Sequence, residues 1–224
     1  MKNYIYEHYD LIIDQIYKNF FIYNDEKIYI CNDKYDKKYI EKLMLMSNEL
    51  YMKGFNIDTF LINKNNQYYS EKNNKLFFLI KENNLNDKIT LNYILKYKGL
   101  DYIVKDYDIK KELQEMIDSF EKIIYDEKQE YKTIYESANY FIGMSENAIQ
   151  LLDGIKIKND IAHLVNIKDM NTSNFENPLT FVNTTFVLDL SNYIKYKFYY
   201  DIIDYEEVYK IINMLEEEEQ TILF

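Results

Sequence analysis

Apolar and polar positions change period along the chain, from mixed, to alternating, to helical. Over residues 4 to 18, Ile5, Ile12, Ile13 and Ile16 recur at helical spacing and predict an opening helix. FFIYNDEKIYICN then places two short β-rich runs either side of Asn24-Asp25, a hairpin signal. A helix is predicted from Asp36 to Met52, with Ile40, Leu43, Met44, Ser47, Leu50 and Tyr51 on one stripe and Gly54 as its stop. FNIDTFLINKNNQYYSEKNNKLFFLIKEN alternates strands with the polar turns Lys64-Asn65-Asn66 and Lys72-Asn73-Asn74. Hairpin, helix and further strands make a small α+β lobe that ends near Asn84.

Beyond that point the pattern is mostly helical. Residues 89 to 98 suit a short helix. IKKELQEMIDSFEKII brings Ile109, Leu113, Met116, Ile117, Phe120 and Ile124 to one face. YKTIYESANYFIGMSENAIQLL does the same with Tyr131, Ile134, Ala138, Phe141, Ile142, Ala148, Ile149 and Leu152, and two long antiparallel helices are expected. Gly143 should allow a neighbouring segment to approach closely, and Ala148 should sit in a core with no room for a larger side chain. After Gly154, loop and short strand lead to the helical FVLDLSNYIKYKF, and Asp204 with Glu207 suggests a capping box for a last helix. The acidic run EEEEQTILF reads as a frayed, solvated tail.

Length and composition narrow this picture. A chain of 224 residues with 47 % hydrophobic and 29 % charged residues has the balance of a folded domain, either one compact unit or one of two lobes. The lobes fall at 1–84, small and α+β, and 85–224, mainly helical. All 27 basic residues are lysines, and the net charge of −11 argues against nucleic acid and anionic membrane partners. Cys31 is the single cysteine, so no intramolecular disulfide can form, which suits a reducing compartment. Acids within the first ten residues and the lack of any long apolar run point to a soluble protein made in the cytoplasm.

Individual motifs carry little chemistry. The two histidines, His8 and His163, lie outside any metal-ligand spacing, and with four glycines the chain has no phosphate-cradling loop. The acid pairs Asp25-Glu26 and Glu206-Glu207 read as turn and helix-start residues.

The order of parts says more. In DEKIYICNDKYDKKYIEKLMLMSNELYMKGFNIDTFLINKNNQYYSEKNNKLFFLIK, NYFIGMSENAIQLL and NPLTFVNTTFVLDLSNYI the chain resembles the spore-coat kinase-like proteins of endospore-forming Firmicutes, especially the YutH type. These are a branch of the aminoglycoside and choline phosphotransferase superfamily, and the likeness spans about residues 1 to 200. The resemblance implies a bilobal protein-kinase-like fold with a shortened helical lobe.

It also implies degenerate chemistry. Where active members carry a phosphate-clamping lysine this chain has Cys31. Where a catalytic Asp follows the loop His by two residues, His163 is followed by Leu164 and Val165. Asn183 stands at the magnesium-ligand position and offers a neutral oxygen in place of a carboxylate. Asp189 matches the family's Arg-Asp-Leu-Ala helix start, with Leu188 in place of the arginine, and is expected to be buried and to hold loop amides near His163 and Leu164. The implied protein is a catalytically inactive scaffold without a cofactor, which works in spore-coat assembly with other coat proteins. The alternative is a small-molecule phosphotransferase, using ATP and magnesium, whose base has moved to Asp160 or Asp169 with Asn171 or Asn174 assisting the metal.

Overall fold

The computed structural model describes residues 1–33, 35–83, 88–102, 104–126 and 132–223. The fold is mixed α+β, with a small sheet near the N-terminus and helices after it. Two compact units form: Met1–Tyr93 with Tyr102–Lys105 and His163–Val182, and Ile94–Asp101 with Asp106–Ala162 and Asn183–Phe224. The expected lobe boundary at Asn84 and the helix-face residue Tyr131 lie outside the described residues.

In the first unit, α1 (Lys2–Tyr9) is shorter than its periodicity predicts. Asp10 takes φ 60°, a left-handed stop, so Ile13 is buried from the following loop while Ile12 faces solvent. The predicted hairpin is present as β1 (Phe20–Tyr23) and β2 (Glu26–Asp33), and Asn24 and Asp25 both have positive φ, as a two-residue turn of this kind requires. α2 (Lys37–Met52) starts at Asp36, whose carboxylate accepts from the Lys38 amide, and ends before Gly54 at φ 87°. Its stripe buries Ile40, Leu43, Met44, Ser47 and Leu50, whereas Tyr51 is half exposed.

β3 (Thr59–Phe60), β4 (Ser70–Lys72) and β5 (Lys75–Lys81) complete a sheet in the order β1-β2-β5-β3, with β4 also paired to β5. Leu76 to Ile80 are all buried. Phe77 and Leu79 join Ile5, Tyr9, Ile13, Phe21 and Ile28 on one face. By strand alternation Leu76, Phe78 and Ile80 take the other, where Phe78 meets Phe60 at 5.5 Å between ring centres.

In the second unit, α3 (Leu91–Leu95), begun in the first, is followed by the long pair α4 (Ile109–Asp126) and α5 (Lys132–Leu152), which pack together as the spacing predicts. β6 (Lys105–Asp106), β7 (Asp160–His163) and β8 (Phe181–Thr184), whose residues divide between the two units, form a sheet in the order β6-β8-β7. The chain then forms α6 (Thr172–Phe175), which belongs to the first unit, and α7 (Val187–Tyr199), α8 (Tyr205–Met214) and α9 (Glu217–Leu223). No helix among the described residues is long and apolar enough to cross a membrane.

Three expectations for this unit change. Asp204 does cap α8, through the Glu206 amide, but Glu207 turns to the Tyr193 hydroxyl and to Lys197 and does not close a capping box. The acidic tail is not solvated throughout. α9 packs on α7, and Glu219 is buried, receiving the Glu216 amide and lying 3.7 Å from the Lys98 ammonium. α5 is not a tightly covered core helix either: Phe141 is 56 % exposed, and a Cβ added at Gly143 would meet nothing within 4 Å. No close approach needs that glycine. Gly143→Ala should therefore raise stability by about 0.5–1 kcal/mol through helix propensity alone. The midpoint of urea unfolding, at unchanged slope, measures this.

Candidate functional site

The chemistry of the first unit gathers where α2, β3 and β5 meet. Past Gly54 the chain turns into Ile57-Asp58-Thr59, and the pairing of Thr59 with Lys81 sets Asp58 beside Glu82 and Asn83 at the end of β5. The Asn83 amide donates to Asp58 Oδ1 at 2.9 Å, and Asn83 Nδ2 donates to the Ile57 carbonyl at 2.7 Å and to Thr59 Oγ1 at 3.2 Å. The Ser47 hydroxyl of α2 donates to the Asp58 carbonyl at 2.6 Å, and the Asp58 amide donates to the Glu176 carbonyl at 3.1 Å. One residue thus ties a helix, two strand ends and the 172–176 segment.

Its carboxyl is fully buried, and Oδ2 has no hydrogen-bond partner among the described residues. Burial pushes the Asp58 carboxyl up to about 7; the Asn83 amide opposes the rise, Glu82 adds to it and Lys27 opposes it. Glu82 lies 3.0 Å from the Lys27 ammonium and accepts from the Ser173 hydroxyl. Lys27 itself sits 4.6 Å from the centre of the Tyr29 ring. This grouping can hold or release a proton near neutral pH, yet its closure to solvent makes it a switchable joint of the fold more than a place for substrate.

The residues singled out from the sequence lie elsewhere. His163 ends β7, and its ring is fully buried, stacked on Phe175 at 3.6 Å and edge-on to Phe181 at 4.6 Å. The Leu164 amide donates to the Thr180 carbonyl at 2.8 Å. Asp169 is exposed at the end of a 3₁₀ turn. Asn171 Oδ1 accepts from the Asn174 amide as the cap of α6, and Asn174 Nδ2 donates to the Asp169 carbonyl at 2.7 Å. These three residues do come together, but the two asparagine amides serve the backbone turn.

Asp160 starts β7 in the second unit, where burial raises its carboxyl above the ordinary range against the pull of Lys158 and the Gly99 amide. In β8, Asn183 donates from Nδ2 to Asp106 Oδ1 at 2.7 Å, and its carbonyl accepts from the Tyr107 amide. Its own Oδ1 is buried without a hydrogen-bond partner among the described residues. Asp189 is buried in the first turn of α7, where the helix dipole favours an acid, while the amides of that turn are taken by Thr185 and the Phe186 carbonyl. Cys31 faces Phe78 across the β2–β5 ladder, and the cation of that strand is Lys27, four residues earlier. Among the described residues no cluster of three or more His, Cys, Asp or Glu is placed to hold a metal ion.

Lys27, Asp58 and Glu82 were not legible as a site. The one signal was an acid inside IDTF, at the entry to an apolar strand.

The Asp58 joint carries a pH dependence with a fixed sign. Its folded value, about 7, lies above the roughly 3.9 of an unfolded aspartate, so the folded state binds the proton more tightly in between. The contribution is full below the unfolded value and is lost as pH rises through 7, an effect of about 3–4 kcal/mol across the window. Asp58→Asn should flatten the stability profile between pH 4 and 7, as read by urea unfolding at each pH. A parent and variant with parallel profiles would contradict the assignment.

Compared with known proteins, the chain matches no family model, and no curated protein is significantly similar to it in sequence.

Proposed function

We propose that the protein is a non-catalytic, phosphotransferase-like scaffold that acts by binding, with assembly of the endospore coat as its setting and other coat proteins as its partners. The coat setting rests on the sequence resemblance alone. The observation that carries the non-catalytic reading is the state of His163. In an active enzyme of that kind the loop around this residue must reach a hydroxyl substrate and a phosphate. Here the ring is closed between Phe175 and Phe181, an arrangement that serves packing. Two other polar side chains singled out from the sequence act in the same sense, since Asn171 caps a helix in the first unit and Asn183 is engaged with Asp106 in the second.

The layout of the first unit is compatible with the small lobe of a kinase-like fold: a hairpin, a helix that follows its second strand, and a central β5 that receives the remaining strands. Phosphoryl transfer works by positioning and charge stabilisation, so polar atoms already engaged within the protein are not free to be aimed at a phosphate.

Thermal unfolding with and without millimolar Mg-ATP tests the reading. Binding to the native state alone stabilises it by RT ln(1 + [L]/Kd), so a scaffold of this kind should show no rise in Tm. A rise of several degrees would overturn it and favour a phosphotransferase, for which Asp169, exposed beside Asn171 and Asn174, is the available base. Purified coat extracts should contain the protein; its restriction to other fractions would remove the coat setting and leave the non-catalytic reading standing.

A further inference from the structure

The second unit holds an apolar cavity of about 480 Å³ walled by α4, α5, α7 and α9, within the roughly 300–1,000 Å³ of small-molecule sites. Its walls explain why α4 and α5 leave so much apolar surface uncovered. Met116 is 66 % exposed, Phe120 42 % and Phe141 56 %, and all three line it together with Ile117, Ile142 and Ile222. Large uncovered apolar patches mark binding surfaces.

The polar groups on these walls limit what fits. The Ser145 hydroxyl donates to the Phe141 carbonyl, that of Ser191 to the Leu223 carbonyl and that of Thr221 to the Glu217 carbonyl. They are satisfied within the protein. No acid lines the cavity among the described residues, and the one charged lining residue is Lys195, exposed on α7 and without an ion pair among the described residues. The occupant that complements such a site has a long apolar body and a single negative end. A partner helix or a second copy of the chain would present polar backbone ends and mixed charges to walls that offer one cation.

We propose that this cavity binds a long-chain aliphatic monocarboxylate, with its tail along α4 and α5 and its carboxylate at Lys195. The inference does not depend on the non-catalytic reading above. It also gives a role to the packing of α9 on α7 although α9 begins with three acids: Thr221 and Ile222 form part of the wall.

Fluorescence of cis-parinaric acid titrated into the full chain tests it, with saturated fatty acids and the matching primary alcohols as competitors. Displacement should strengthen about fourfold per added methylene until the cavity is full. Lys195→Glu, at an exposed position that does not bear on folding, should weaken the acids by at least about fivefold and leave the alcohols unchanged. Ala148→Phe, which fills the cavity from α5, should remove both. Failure of the acids to displace the probe, or a Lys195→Glu protein that binds acids as the parent does, would overturn the proposal. So would light scattering that shows a dimer unchanged by oleate and closed to the probe, since a second copy would then cover this face.

Discussion

Five consecutive buried residues, Leu76 to Ile80, can be kept from water only if both faces of one strand are covered. This requirement organises the first unit. The hairpin and α1 supply one face, with Ile5, Phe21 and Ile28 meeting Phe77 and Leu79. Phe60 meets Phe78 on the other, and α2 packs along β3. β2, β3 and β4 all pair with this strand, so its position fixes theirs.

Asp58 stands where that arrangement must be joined. α2 and β3 are separated by a short turn, and the backbone there needs partners once it is buried. Ser47, Asn83 and the Glu176 carbonyl supply them, so the residue that bears the most perturbed carboxyl of the unit is also the one through which helix, strand and loop are tied. Burying one carboxyl oxygen without a hydrogen bond costs stability above neutral pH, and the surrounding backbone network offsets it.

The second unit is held in a different way. Its long helices pack together, but the space that they share with α7 and α9 is left open and is lined by side chains that a fully covered helix pair would bury. α9 closes one side of that space and is itself fixed by Glu219 and Lys98. The unit therefore has both a built polar contact at its chain end and an open apolar interior, a combination that suits binding more than rigid packing.

Much of the local structure was legible from residue order. Asn24-Asp25 and Asn73-Asn74 had to turn because asparagine and aspartate tolerate positive φ, and Asp36 and Gly54 had to bound α2 because their chemistry starts and stops helices. The apolar stripes of α4 and α5 likewise announced two long helices, since period 3.6 is a property of a single segment. What those stripes would face was not legible. Burial depends on segments far away in the chain, so an acid run could pack as α9, a histidine could become a stacked core ring against Phe175, and Asp58 could leave the carboxylate range only after distant segments had buried it and set Glu82 beside it. Periodicity and turn chemistry are local and were fixed by the sequence itself, whereas charge state and access are set by neighbours that only the tertiary structure brings together.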